Sequence, residues 1–309
     1  MYGGAFRGDI AAGDRLRESN STILPTIPAS HAAQFHLPIG RPLTSSPDLF
    51  VHVSPLRLLV GALAALVAGI VNSVAGGGTL LTFPALIAAG LSPLAANATS
   101  TVALLPAALS SMLGYRGELS GARRWATALA IPSLIGGGLG AVLLLHTPGS
   151  TFDRIVPWLV LGATGLFLIQ RPLLRYVRGP SFVHDEDAIH RRPVTAGLLL
   201  GQVLVGIYGG YFGAGVGILM LAALGFMGFS NIHQMNGLKN WGGFCMNLVA
   251  AGIFAFSGIV DWPVALSMAV GSIIGGYVGA TLAQRVPQTV VRRAVSAVGI
   301  VSGIWLLTR

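Results

Sequence analysis

The sequence predicts an all-α polytopic membrane protein built from two internal repeats, and three observations carry that prediction. The first is composition: 53% of the 309 residues are apolar and only 9% are charged, whereas a soluble domain carries about 25% charged residues. So few charges cannot clothe a core in a soluble surface, and the mean hydropathy of +0.73 agrees. The second is a succession of apolar runs near the roughly 20 residues a helix needs to span a bilayer. The third is a constant spacing of 139 positions between two sets of glycine-rich motifs. The single cysteine, Cys245, excludes an intrachain disulfide framework and Cys-rich metal sites.

Residues 1–55 differ from the rest. They are rich in Pro, Ser and Thr, carry a balanced set of acids and arginines, and contain no run long enough to span. They read as a disordered tail, or as a translated upstream stretch with the natural start near Val51 or Leu56. The first membrane repeat follows over 56–170, with long apolar runs at about 56–75, 97–114, 124–146 and 153–170. A polar loop occupies 171–192. The second repeat covers 193–309, with runs at about 194–212, 235–257, 262–283 and 290–308. Two further pieces, near 79–91 and 217–229, are too short to span comfortably. Each follows a glycine cluster, Gly76-Gly77-Gly78 in one and Gly213-Ala214-Gly215-Val216-Gly217 in the other. Short, glycine-interrupted segments at matching places in two halves are the best sequence pointer to a transporter binding site.

The halves align without a gap. Gly76 and Gly78 fall on Gly215 and Gly217, Asn97 on Asn236, Ser133 on Ser272, Gly136-Gly137 on Gly275-Gly276 and Arg154 on Arg293. The charges change sides between the copies. Arg116, Arg123 and Arg124 lie in a first-half loop whose counterpart near 255–263 holds only Asp261. Arg285, Arg292 and Arg293 lie in a second-half loop whose counterpart holds only Asp153 and Arg154. Arginine collects in cytoplasmic loops, so this exchange predicts inverted repeats with an odd number of crossings each. Counting the short helices gives five plus five, both chain ends outside, and cytoplasmic loops at 115–124, 171–192 and 284–293. A four-plus-four arrangement with re-entrant short segments is the alternative. The net charge of +9 is then mostly an orientation label and not a nucleic-acid surface.

No acid lies inside an apolar run, so an intramembrane carboxylate relay has no candidate. The histidines are scattered, which disfavours a metal site, and no cofactor is expected. The one ionisable residue within an apolar segment is Lys239, the sole lysine, in Asn236-Gly237-Leu238-Lys239-Asn240. Placing a cation in a bilayer costs at least ~2.5 kcal/mol on insertion scales. An anionic ligand would offset that cost; snorkelling to the interface is the bland alternative. The equivalent first-half segment, Asn97-Ala98-Thr99-Ser100-Thr101, is polar but neutral. Its hydroxyls read as interhelical glue, and Asn97 as either glue or ligand. Asn72 precedes the first glycine cluster; Tyr208 and Tyr211 precede the second.

Half-helices starting at these clusters would present free backbone N–H groups and a positive dipole end, with glycine allowing close approach. The alternative is that the glycines make only turns and packing contacts. The predicted substrate-binding set is Asn72, Gly76, Gly77, Gly78, Thr79, Asn97, Tyr211, Gly215, Gly217, Asn236, Lys239 and Asn240. It is a site for a small anion, moved by alternating access. The expected partners are that anion and the lipid bilayer, with no nucleic acid and a homo-oligomer left open.

The run Gly69-Ile70-Val71-Asn72-Ser73-Val74-Ala75-Gly76-Gly77-Gly78-Thr79-Leu80-Leu81-Thr82-Phe83-Pro84-Ala85-Leu86, followed by Ala89-Gly90-Leu91-Ser92-Pro93, resembles the sulfite exporter TauE/SafE family. So does Gly206-Ile207-Tyr208-Gly209-Gly210-Tyr211-Phe212-Gly213. The resemblance covers about 56–309. It implies a bacterial inner-membrane permease for sulfite, organosulfonates or related small sulfur-containing anions. Family members often carry Thr-Asn-Lys after the first glycine motif, where this chain has Thr99-Ser100-Thr101; the absent lysine leaves the preferred anion open. The rival classes are a membrane-embedded enzyme, for which no Gly-x-Ser-x-Gly or His-Glu-x-x-His motif occurs, and an assembly factor without transport.

Overall fold

The computed structural model describes residues 55–74, 77–114, 116–178, 194–227, 229, 231–282 and 288–308. Every element among them is helical. In chain order they are α1 (Pro55–Val74), α2 (Thr79–Ala88), α3 (Pro93–Gly114), α4 (Arg116–Gly121), α5 (Arg123–His146) and α6 (Gly149–Arg178). Then come α7 (Ala196–Tyr211), α8 (Val216–Phe226), α9 (Ile232–Phe256), α10 (Trp262–Leu282) and α11 (Gln288–Thr308). Four stretches, Pro55–Asn72, Arg123–His146, Gly149–Ile169 and Trp262–Gly279, are long and apolar enough to cross a membrane. The tail expected at 1–55 falls outside the described residues apart from Pro55, which opens α1.

The helices fall close to the apolar runs, with differences that have local causes. Helix α3 begins at Pro93, four residues before the predicted run, because proline is suited to the first helical position, where its missing N–H is no loss. Helix α6 continues to Arg178, inside the segment read as loop. It runs through Pro172, and the next helix-breaking residues in the sequence are Gly179-Pro180. The short α4 fills part of the expected 115–124 loop.

Outward faces are apolar. Leu59, Leu63 and Val67 on α1 and Ile131, Ile135, Leu139 and Val142 on α5 are exposed at helical spacing, as lipid-facing stripes are. Between helices the contact residue is glycine. A Cβ at Gly271 or Gly275 of α10 would overlap the carbonyls of Ala62 and Leu66 on α1. One at Gly136 or Gly140 of α5 would overlap those of Val203 and Ile207 on α7. Without a hydrophobic drive in lipid, such small-residue contacts let backbones pack closely and supply the association energy.

In both pairings residue numbers rise together, so α1 runs parallel to α10 and α5 parallel to α7. Each pairing joins one helix of the first half to one of the second. Two further hydrogen bonds also join the halves. Ser272 of α10 donates to the Ala103 carbonyl of α3 at 2.9 Å. Trp241 of α9 donates to the Ala126 carbonyl of α5 at 2.8 Å, and Gly137 of α5 lies against Met246 of α9.

Helices α1 and α2 form a hairpin whose ends meet. The Arg57 guanidinium lies 2.9 Å from where a Gly90 Cβ would stand, just past the end of α2. Helices α7 and α8 do the same at the other end of the bundle. There Val194 and Leu198 pack in one apolar cluster with Met227, Phe229, Trp125 and Leu238, and Trp125 meets Phe229 edge to face at 5.2 Å. Helices α3 and α9 pack against each other and run antiparallel. The Asp261 amide, past the end of α9, donates to Thr99 near the start of α3 at 3.0 Å. Gln234, near the start of α9, approaches Gly121, beyond the end of α3.

Candidate functional site

Both hairpins turn on glycine, and the two turns line one cavity. At the first, Gly77 has φ +115°, a left-handed conformation that a Cβ would strain, and its missing side chain leaves room for the Phe167 ring. Its amide donates to Asn72 Oδ1 at 3.3 Å, which fixes the end of α1 to the start of α2. Gly78 caps α2, and a Cβ there would stand 2.7 Å from the Ala68 carbonyl.

At the second turn Gly213 and Gly215 have φ +74° and +73°. Tyr208 Oη donates to the Ala214 carbonyl at 2.6 Å and holds that loop against α7. Phe212 packs edge to face on Phe83 of α2, with ring centres 5.2 Å apart. Asn97 Nδ2 donates to the Tyr211 carbonyl at 2.9 Å. The second turn is therefore held by its own helix and also braced by residues of the first half.

The cavity has a volume of about 80 Å³. A water needs about 10–15 Å³ by this measure, so it has room for several waters or one small anion. Helices α3 and α9 form its long walls, with Thr101, Leu104, Ala108 and Ser111 on the first and Lys239, Asn240, Gly243, Phe244 and Asn247 on the second. The turns close it with Asn72, Gly77 and Thr79 on one side and Phe212, Gly213, Val216 and Gly217 on the other.

Lys239 is 5% exposed and has no hydrogen-bond or ion-pair partner among the described residues. Two further polar atoms facing this region are buried and unpaired, Asn240 Nδ2 and the Ser111 hydroxyl. The Gly217 amide, in the first turn of α8, has no backbone acceptor among the described residues, as is usual for the first four N–H groups of a helix. Asn247 Nδ2 is engaged with the Gly243 carbonyl at 2.8 Å, which leaves its Oδ1 as an acceptor. Native proteins pair the large majority of buried polar groups. An unpaired cation and two unpaired polar groups around one cavity are what an anion would satisfy.

Of the predicted site residues, the structure gathers Asn72, Gly77, Thr79, Gly217, Lys239 and Asn240 around the cavity. Gly78, Asn97, Tyr211, Gly215 and Asn236 lie outside its lining. Gly78 and Gly215 shape the turns as helix caps. Asn97 is fully buried in its bond to Tyr211, with Oδ1 unpaired. Tyr211 directs its hydroxyl to Thr147 at 3.3 Å and its ring to Phe152. Asn236 is half-buried on α9, and Gly76 lies outside the described residues.

Sequence reasoning missed Ser111 and Asn247 and read Thr101 as glue. The signal for Asn247 was available: Asn240, Gly243 and Asn247 stand at i, i+3 and i+7 on one helix face. Ser111 had no such signal, since one serine in an apolar run is unremarkable. Among the described residues no group of three or more His, Cys, Asp or Glu side chains converges.

Residues 61–306 match the family model described as sulfite exporter TauE/SafE. A probable membrane transporter protein of Haemophilus influenzae is 30% identical over 246 residues, covering 79% of this chain and 91% of the relative. The probable membrane transporter protein ORF9 of a Sinorhizobium species is 32% identical over 247 residues, 79% of this chain and 90% of the relative. The probable membrane transporter protein YfcA of Escherichia coli K12 is 30% identical over 268 residues, 82% of this chain and 91% of the relative. No solved structure matches the chain.

Proposed function

The chain belongs to the sulfite exporter TauE/SafE family, and on that premise we propose that it is a permease for a small sulfur-containing or organic anion in a bacterial inner membrane. The observation that carries the reading is the unpaired Lys239 beside the unpaired Asn240 Nδ2 and Ser111 hydroxyl in one cavity. A buried cation without a counter-charge is costly, and an anionic ligand of sulfite or sulfonate type removes the cost whenever it binds. The relatives' names as membrane transporter proteins support transport over catalysis.

Alternating access draws on the repeat. The helix pairings between the halves and the antiparallel course of α3 and α9 are what two inverted copies produce. The closed ends of each hairpin return the chain to the side it came from, so the three long helices that follow make the parity of each half odd. That supports inversion whether or not α2 and α8 count as crossings. The cavity then lies where the copies meet, the usual place for a site reached from either side by rocking.

The decisive experiment is uptake of labelled sulfite and short sulfonates into vesicles containing wild type or Lys239→Met. A loss of at least about tenfold is expected, the value of a charge-assisted hydrogen bond; equal flux in both would refute the anion site. Cysteines introduced at positions 119 and 260 are expected to label from opposite faces of the membrane. Labelling from the same face would refute inversion.

A further inference from the structure

We propose that the cavity selects monovalent anions with one apolar face, such as a short alkyl sulfonate, over divalent oxyanions of similar size. The proposal rests on the anion-permease reading above and adds to it the charge and shape of the ligand.

Charge comes first. Lys239 is the one charged side chain among the lining residues; the polar remainder, Asn72, Thr79, Thr101, Ser111, Asn240 and Asn247, is neutral. The position 139 residues before Lys239 is Ser100. It is fully buried and shares a 2.6 Å hydrogen bond with Thr82, away from the cavity lining. The first half therefore contributes no second cation. A monoanion beside Lys239 makes a neutral pair. A dianion leaves one uncompensated charge in a low-dielectric surrounding, where it is poorly tolerated.

Shape points the same way. The unpaired donors at hand are Lys239 Nζ, Asn240 Nδ2, the Ser111 hydroxyl and the Gly217 amide, enough for the oxygens of one sulfonate head. The lining also includes an apolar set, Leu104, Ala108, Phe212, Val216 and Phe244. A methyl or ethyl substituent finds apolar contacts there, whereas an oxygen in the same place would lose its water without a partner.

The test uses the full chain in nanodiscs, with methanesulfonate and sulfate as potassium salts. Ligand-induced rise in thermal midpoint is measured first, then competition against labelled methanesulfonate in vesicles. Methanesulfonate is expected to act at concentrations at least about tenfold below sulfate, since leaving a buried charge unpaired costs more than 1.4 kcal/mol. Thr101→Lys adds a cation to the opposite wall and is expected to bring the two anions within about threefold of each other. Asn247→Lys makes the same test should the first variant fail to fold. Sulfate binding as tightly as methanesulfonate, with Lys239→Met abolishing both, would overturn the selectivity while leaving the permease reading intact. A folded Thr101→Lys or Asn247→Lys protein with an unchanged ratio would also overturn it. Neither anion acting on wild type would overturn both readings.

Discussion

Helices α3 and α9 face each other in the fold, and each carries a buried polar residue, 139 positions apart in the chain, with a different fate. Ser100 on α3 is fully buried and paired with Thr82. Lys239 on α9 is almost as deeply buried and paired with nothing among the described residues. Burial alone does not separate a structural polar group from a functional one; what separates them is whether the fold satisfies it. A paired hydroxyl links two helices. An unpaired cation at a cavity lowers stability and persists only where something outside the chain completes it. The two glycine turns differ in the same spirit. The Gly77 turn is held within its own half by Asn72, while the Tyr211–Gly215 turn, held by Tyr208 of its own half, is also braced across the halves by Asn97 and Phe83.

Substitutions can sharpen that contrast. The largest effect is expected at Lys239. Lys239→Met should lower anion flux by at least about tenfold yet raise the thermal midpoint, because an unpaired buried charge is removed. A variant that lost stability along with flux would mean that Lys239 is paired in the native membrane.

Gly77→Ala should be next, at about 2–4 kcal/mol, since it combines left-handed strain with a clash on Phe167. Gly215→Ala carries the strain alone, its Cβ standing 3.5 Å from Ala163, and about 1–2 kcal/mol is expected. Thermal unfolding of the two variants side by side checks the order, and equal losses would show that Phe167 moves aside freely.

Ser100→Ala should cost about 1 kcal/mol by removing its 2.6 Å hydrogen bond to Thr82, which keeps only the long bond to the Gly78 carbonyl. Transport affinity should not change, which saturation kinetics would reveal. The smallest stability effect belongs to Ser111→Ala. Its hydroxyl has no partner to lose, so the midpoint should stay within about 0.5 kcal/mol of wild type while the apparent affinity for anion falls.

Much of this molecule is legible in one dimension. Hydrophobic run length predicts the helices because the bilayer thickness is a fixed ruler. Pro93 moves the start of α3 by local backbone chemistry that the run lengths do not register. Lys239 is conspicuous as the sole lysine, and the glycine clusters stand out as breaks. Tyr211, read as a ligand because it precedes the second break, instead turns its ring to Phe152 and its hydroxyl to Thr147. Proximity along the chain says nothing of which way a side chain leaves the helix.

The sequence by itself determined the membrane-spanning class, the glycine breaks and the presence of one lysine within an apolar segment. These depend on local composition and on spacing, which the linear chain carries in full. Tertiary structure alone decided that α3 presents Thr101 and Ser111, that α9 presents Asn247, and that Asn97 spends its amide on the Tyr211 backbone. The rotation of each helix about its axis is set by which glycines meet which backbone across the bundle. That register is a property of pairs of helices, and no single segment contains it.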